Sequence, residues 1–363
     1  MDYPWIQRKR TRGVSVGGVA IGGGAPVSVQ SMTNTHTRDV DATVAQIARL
    51  TEAGCDIVRV AVPTPADTAA LPEILRQVRV PIVADVHFHF DRALEAIAAG
   101  VHKIRLNPGN ITQRPQVLRV LEACKERGIP IRIGVNEGSV VERRDAARHA
   151  AESARPLVDL MVDKLADYLR MFEQADFHDI VLSAKSSDAF TCVAAYRAIA
   201  QRFDFPLHLG VTHAGDVESG AIRSSAALGA LLCEGLGDTI RYSFAADPIT
   251  EVRAGKELLA CLRLRERDEA EIIACPTCGR VEVDLVRVLA DVKAALAGSG
   301  AGVKVAVMGC VVNGPGEAEG ANVAVCCGQG KGVIYVDGQI AATVAEDQIA
   351  AALVDQVRQY RRT

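Results

Sequence analysis

Cys275-Pro-Thr-Cys278 and Gly309-Cys310-Val-Val-Asn313-Gly-Pro-Gly-Glu317 gather three thiols and a carboxylate into two short clusters. Pro276, Gly314, Pro315 and Gly316 are turn residues that fix the loops carrying these groups, so the four can close around one metal centre. A CxxC pair by itself serves zinc sites, thiol redox sites and iron-sulfur clusters alike. The third thiol turns the reading toward a metal. Counting offers two sources for a fourth ligand: Glu317, seven residues after Cys310, or the pair Cys326-Cys327. Four thiolates suit zinc or an electron-transfer cluster, whereas three thiolates and one oxygen suit a [4Fe-4S] centre with one exchangeable position. A structural zinc knuckle stays open on spacing alone.

A second set of reactive side chains lies upstream, spaced by two as along β-strands. Arg105 shares a face with Asn107, Arg132 with Asn136, Ser183 with Lys185, His208 with Thr212, and Arg241 with Ser243, while Arg59 sits midway along its own segment. The alternate positions, such as Ile104, Leu106, Ile131 and Ile133, are the apolar ones that helices must cover. The cations therefore converge on the opposite face. Desolvating several unpaired guanidinium groups costs several kcal/mol each. Asp85 neutralises one, and a polyanion such as a diphosphate satisfies the rest through the bidentate forks of arginine. Asp85-Val-His87-Phe-His89 also has the spacing of a metal hydrolase, but the later strands carry cations instead of further ligands. Asp85 and His87 are expected to hydrogen-bond substrate, and His89 to be structural.

The elements that must position these residues form a repeating pattern. Eight strand-like segments (27–33, 56–62, 81–87, 102–108, 130–136, 179–185, 206–212 and 238–244) alternate with amphipathic helical stretches such as VDATVAQIARLTEAG and RPQVLRVLEACKERG. That count over roughly 250 residues is that of a (β/α)8 TIM barrel, whose active site lies at the C-terminal ends of the strands. An open doubly wound sheet is the alternative, and it lacks a glycine fingerprint after the first strand. VSVGGVAIGGG reads as a hairpin closing one end. The long connection from Asn136 to Asp179 is expected to hold an extra helical element before the helix containing LVDLMVDKLADYLRMF. After a helix opened by Asp247-Pro248, the charged run from Arg263 to Glu271 reads as a linker. A small α/β domain follows, with strands in EIIAC, KVAVMGC, NVAVCCG and GVIYVDG, a helix in VDLVRVLADVKAALAG, and a terminal helix from Val344. The expected domains are residues 1–265, binding substrate, and 266–363, binding the cluster.

The chain has 363 residues, enough for two cores, and its formal net charge of -3 gives no general attraction to nucleic acid or an anionic membrane. The basic start MDYPWIQRKRTRG lacks a following apolar segment, and no run approaches the roughly 20 apolar residues of a membrane span. A cytoplasmic protein is expected. Ten cysteines without a secretion signal then point to reduced thiols and metal ligation, with Cys55, Cys124, Cys192, Cys233 and Cys261 as small core residues.

The joint pattern ACPTCGR and GCVVNGPGEA, with VQSMTNT, RLNPGN and LHLGVT before it, closely resembles the 4-hydroxy-3-methylbut-2-enyl diphosphate synthase family over essentially the whole chain. The resemblance implies an iron-sulfur oxidoreductase of isoprenoid biosynthesis. Its reaction would be reductive ring opening and dehydration of 2-C-methyl-D-erythritol 2,4-cyclodiphosphate to (E)-4-hydroxy-3-methylbut-2-enyl diphosphate, with electrons from a ferredoxin or flavodoxin. It further implies [4Fe-4S] ligands Cys275, Cys278, Cys310 and Glu317, an approach of Asn313 to substrate or cluster, and a homodimer in which each cluster domain covers the partner's barrel. Arg59, Arg105, Arg132, Lys185, Arg241, Ser243 and Asn136 would hold the diphosphate. One departure stands out. Where relatives read Thr-Glu-Ala-Gly, this chain reads Thr212-His213-Ala214-Gly215, so His213 is expected to deliver the proton, with Glu218 as the fallback. A metal-dependent TIM-barrel hydrolase of a phosphorylated substrate is the alternative function.

Overall fold

The computed structural model of the chain describes residues 6–87, 89–140, 152 and 154–360. It resolves into two compact units, Met1–Arg265 and Glu266–Thr363.

In the first unit, eight parallel strands alternate with helices: β3 (Ser28–Met32), β4 (Ile57–Ala61), β5 (Ile82–Asp85), β6 (Lys103–Leu106), β7 (Ile131–Asn136), β8 (Ile180–Lys185), β9 (His208–Leu209) and β10 (Thr239–Ile240). Their hydrogen-bonded order is β8-β7-β6-β5-β4-β3-β10-β9, and a parallel bridge between Leu182 and Leu207 closes the ring. Alternation along each strand sorts the side chains. Val58, Val60, Ile104, Leu106, Ile131, Ile133, Ile180 and Leu182 enter the main core beneath the surrounding helices. The intervening residues point inward, and there the barrel departs from the usual branched apolar filling. Only its floor is apolar, where Val14, Val16 and Ile21 of the hairpin β1 (Val14–Val16) and β2 (Val19–Ile21) pack on Ile57, Val83 and Val181. Above that floor the interior is polar.

Four of the helices begin on carboxylate caps. Asp39, Asp188, Asp216 and Asp247 each accept from a backbone N–H in the first turn of α1 (Val40–Glu52), α6 (Ala189–Arg202), α7 (Val217–Cys233) and α8 (Pro248–Cys261). Between them lie α2 (Pro65–Gln77), α3 (Phe90–Ala99), α4 (Arg114–Arg127) and α5 (Leu157–Gln174). The last two expected strands shrink to two residues each. Thr212, Arg241 and Ser243 therefore sit on loops at the strand ends instead of within the sheet. The extra helical element expected after Asn136 falls largely outside the described residues.

The second unit is a five-stranded sheet in the order β11 (Glu271–Ala274), β12 (Lys304–Met308), β13 (Val323–Gly328), β14 (Lys331–Val336), β15 (Gln339–Ala345). The first three strands run parallel and the last two antiparallel. α9 (Leu285–Leu296) and α11 (Ile349–Tyr360) supply its core on one face. β15 corrects the sequence reading, which began the terminal helix at Val344. Asp337 and Gly338, at φ 47° and 76°, make the tight turn that pairs β15 with β14. β15 is mostly exposed and shows no clean apolar alternation, so only its Asp-Gly turn announced it.

Candidate active site

Period two within the barrel brings the expected cations together. In the parallel register Arg59 pairs with Val83, Asp85 with Arg105, Arg105 with Arg132, and Asn136 with Lys185, so all these side chains share the interior. Arg59, Arg105, Arg132 and Lys185 are buried. Asp85 sits 3.2 Å from Arg105 Nη1, 3.7 Å from Arg59 Nε and 3.3 Å from His87 Nε2. Asn110 Nδ2 lies 2.9 Å from His87 Nδ1, and Arg105 Nη1 lies 3.3 Å from His87 Nε2. Burial opposes ionisation of Asp85, and Arg59 with Arg105 outweighs it, so the carboxyl lies well below the usual range. Its partner Arg59 is pushed down to about 10 by burial.

Arg241 has a partner the sequence reading missed. Glu251 of α8 accepts from Arg241 Nε at 3.2 Å and from Nη2 at 3.3 Å. Lys103 was missed as well, although it shares the parity of Arg105 and the same rule would have found it. Among the described residues the interior thus gathers six basic side chains (Arg59, Lys103, Arg105, Arg132, Lys185, Arg241) against two carboxylates, Asp85 and Glu251. Burial, compounded by the neighbouring cations, holds Lys103, Arg132 and Lys185 well below their usual values. An excess of this kind is a receptor for a compact polyanion.

The other expected residues divide. Asn107 spends its amide on its own loop, accepting from Gly109 N–H at 3.0 Å and donating to Ser139 Oγ at 3.1 Å. Ser183 and His208 are buried in the interior, and burial followed by the field of Arg132 keeps His208 far below the normal imidazole range. Asn136 and Ser243 are half-buried at the strand ends. His89 is exposed and caps α3, and Asp85 and His87 are taken up by Arg59, Arg105 and Asn110, so the hydrolase constellation does not form.

His213 is exposed in a left-handed conformation at φ 52°, uncommon for a residue with a Cβ, and its Nδ1 lies 3.2 Å from Thr212 Oγ1. Thr212 N–H donates to the Ser186 carbonyl at 3.0 Å, joining this loop to the one after β8. There Ser186 and Ser187 donate to Glu137 at 2.5 and 2.6 Å. Burial works against the Glu137 carboxylate, but these hydroxyls and the charge of His213 hold it below its usual value. Glu137 and both serines escaped the sequence reading, because residues just past a strand end carry no periodic signal.

In the second unit Cys275 follows β11 and Cys310 follows β12, at the ends of adjacent parallel strands. Gly309 N–H donates to Cys275 Sγ at 3.1 Å. The backbone N–H groups of Asn313 and Val312, then Arg280, hold the Cys310 thiol below its usual range. Glu317 ends the one-turn helix α10 (Gly314–Glu317), whose Gly314 packs against Cys326 because a Cβ there would stand 3.1 Å from its sulfur. Cys326 and Cys327 are buried and raised by burial to about 11 and 12, so they remain protonated filling. Among the described residues no three His, Cys, Asp or Glu side chains stand close enough to hold a metal ion as they lie. The donor chemistry nevertheless fits an iron-sulfur cluster: N–H groups directed at sulfur at Cys275 and Cys310 are what thiolate ligands require.

Comparison with known proteins decides the family. A family model described as the GcpE TIM-barrel domain matches residues 11–256, and one described as the GcpE protein C-terminal domain matches residues 271–359. The chain belongs to the GcpE family. Relatives in this family are named 4-hydroxy-3-methylbut-2-en-1-yl diphosphate synthase (flavodoxin). The one from Geobacillus kaustophilus is 47% identical over 97% of this chain and 92% of its own length. That from Symbiobacterium thermophilum is 48% identical over 98% and 94%, and that from Salinispora tropica 49% over 97% and 89%. Among solved structures, dihydropteroate synthase from Stenotrophomonas maltophilia aligns with a TM-score of 0.50 at 16% identity over 70% of this chain and 97% of that one, a likeness of barrel fold alone. Among the described residues no helix is long and apolar enough to cross a membrane.

Proposed function

We propose that this GcpE-family chain is a flavodoxin-dependent 4-hydroxy-3-methylbut-2-enyl diphosphate synthase. It opens the ring of 2-C-methyl-D-erythritol 2,4-cyclodiphosphate reductively and removes water to give (E)-4-hydroxy-3-methylbut-2-enyl diphosphate. The observation that carries the reading is the gathering of Arg59, Arg105, Arg132, Lys185 and Arg241 in the barrel interior against two carboxylates, an excess of basic groups that a cyclic diphosphate satisfies.

Arg59, Arg105, Arg132, Lys185 and Arg241, with Asn136 and Ser243, hold the diphosphate. Their charges stabilise the phosphate oxygen released as the C2–O bond breaks, and being fixed in advance they need no reorganisation at that moment. Asp85 and Glu251 set the directions of three of these forks and leave the remaining N–H groups for substrate. His87 orients Asp85 and borders the same space. His213 donates the proton that lets the departing hydroxyl leave as water, a role suited to imidazole near neutral pH. Cys275, Cys278, Cys310 and Glu317 would hold a [4Fe-4S] cluster, with Asn313 beside it. Such a cluster supplies single electrons at low potential and a Lewis-acidic iron. The protein acts in the cytoplasm as a homodimer, each cluster unit serving the partner's barrel.

Anaerobic purification tests the reading. The protein should be brown, with broad absorption near roughly 400 nm from thiolate-to-iron charge transfer, and should consume the cyclic diphosphate when given a strong reductant or reduced flavodoxin. A cluster-loaded protein that leaves the cyclic diphosphate untouched would overturn it. A colourless, air-stable zinc protein would do so as well.

A further inference from the structure

Deeper in the barrel, level with the apolar floor, lies a group of polar atoms that neither carboxylate hydrogen-bonds. Ser28 and Gln30 of β3, Lys103 of β6, Arg132 of β7 and His208 of β9 all point inward: Thr239 registers with both Ser28 and His208, Gln30 with Ile57, Lys103 with Val83, and Arg132 with Arg105. None is more than 5% exposed. Among the described residues, Lys103 Nζ, Arg132 Nε and Nη1, His208 Nε2, Ser28 Oγ and both amide atoms of Gln30 are buried without a hydrogen-bond partner.

Seven orphaned atoms in one place need an account, because each unsatisfied buried polar group costs about 1–3 kcal/mol and charged ones more. Thr239 Oγ1 lies 3.5 Å from His208 Nδ1, and with the hydroxyl donating, His208 Nε2 carries the hydrogen. Every member of the group then offers at least one donor, and Gln30 Oε1 is the sole obligate acceptor. The carboxylates are engaged elsewhere, Asp85 with Arg59 and Arg105, Glu251 with Arg241. Val14, Val16, Ile21, Ile57, Val83 and Val181 form an apolar cluster at the same end of the barrel. A set of buried donors that includes two cationic side chains has the chemistry of an anion site.

We infer that Ser28, Gln30, Lys103, Arg132 and His208 enclose a small monovalent inorganic anion of the halide type, bound beneath the diphosphate site and independently of substrate. A single negative charge is what fits. Lys103 has no other partner, whereas Arg132 also belongs to the diphosphate site, so a larger anionic charge this far from solvent would be left uncompensated. The anion keeps Lys103 and Arg132 protonated in surroundings that otherwise favour loss of their charge, and so maintains the field at the barrel mouth.

Bromide is the probe. In bromide-soaked crystals of the intact protein, anomalous scattering should show a peak among Lys103, Arg132 and His208, and it should persist when inorganic pyrophosphate is added. Two crystal outcomes overturn the inference: no peak among these side chains, as for an interior filled by water alone, or a peak that pyrophosphate displaces. In solution, replacing gluconate by bromide at constant ionic strength should raise the melting temperature by about 2–4 °C. Lys103→Met should melt above the wild type in gluconate, since it removes a buried unpaired amine, and gain nothing from bromide. A variant that responds to bromide as the wild type does refutes the site. None of these readouts involves turnover, so failure of the proposed activity would leave them standing, and failure here would leave that activity untouched.

Discussion

Asp85→Asn is the sharpest perturbation of the barrel interior. Its carboxylate lies 3.2 Å from Arg105 and 3.7 Å from Arg59, with all three side chains nearly excluded from solvent. At an effective dielectric constant of about 20, each contact carries a gross attraction of roughly 4–5 kcal/mol. Much of that offsets the desolvation of the three charges. Removing only the carboxylate, however, leaves two guanidinium groups buried together, and breaking a buried pair in this way costs about 3–5 kcal/mol. At roughly 2–4 °C per kcal/mol for a domain of this size, the barrel transition should fall by about 6–20 °C in scanning calorimetry near pH 7. The pH dependence follows from the depressed folded pKa of Asp85. Its contribution is fully present above the unfolded value of about 3.9 and is lost as pH falls through the lower folded value. The gap between wild type and variant should therefore be constant from about pH 8 to 5 and narrow below about pH 4. A variant melting within about 1 °C of the wild type near pH 7, or a gap unchanged at about pH 3, would refute the electrostatic account.

Three further outcomes are expected. His213→Ala should lower kcat by about 10²–10⁴-fold while leaving substrate affinity intact, in steady-state kinetics paired with calorimetric binding; full turnover would remove His213 from the reaction. Gly210→Ala sets a Cβ against Lys185 Nζ and 2.8 Å from the Arg241 carbonyl oxygen. Displacing that ammonium should weaken pyrophosphate binding roughly tenfold or more by titration calorimetry, the worth of one charge-assisted hydrogen bond. Cys278→Ser should abolish the visible absorption and reduce iron per chain, with the barrel's melting transition unchanged because Cys278 lies in the other compact unit.

Much of this protein is written in local patterns. Eight segments alternating with helices point to parallel strands under crossover helices, and their count favours a barrel over an open sheet. The two-residue period of those strands also places Arg59, Arg105, Arg132 and Lys185 on the inner face without any knowledge of the partners. Turn chemistry is legible in both units: glycines mark the hairpin at Val14–Ile21, and Asp337-Gly338 marks the turn that makes β15. The cysteine motifs named a metal chemistry and, with the barrel segments, a family.

Pairing across the chain was decided only by the tertiary structure. Glu251 meets Arg241 because α8 packs back across the barrel end, and Glu137 meets Ser186 and Ser187 because neighbouring strands end at the same level; nothing in their sequence spacing of 10 and about 50 residues signals either contact. Sequence could state that cations line the interior, but not that Lys103, Arg132 and His208 bury polar atoms without a hydrogen-bond partner. Periodicity fixes the face on which a side chain lies, since that depends on backbone geometry alone. Depth, burial and the presence of a counter-charge depend on residues distant in the chain, and only closure of the barrel brings those within range.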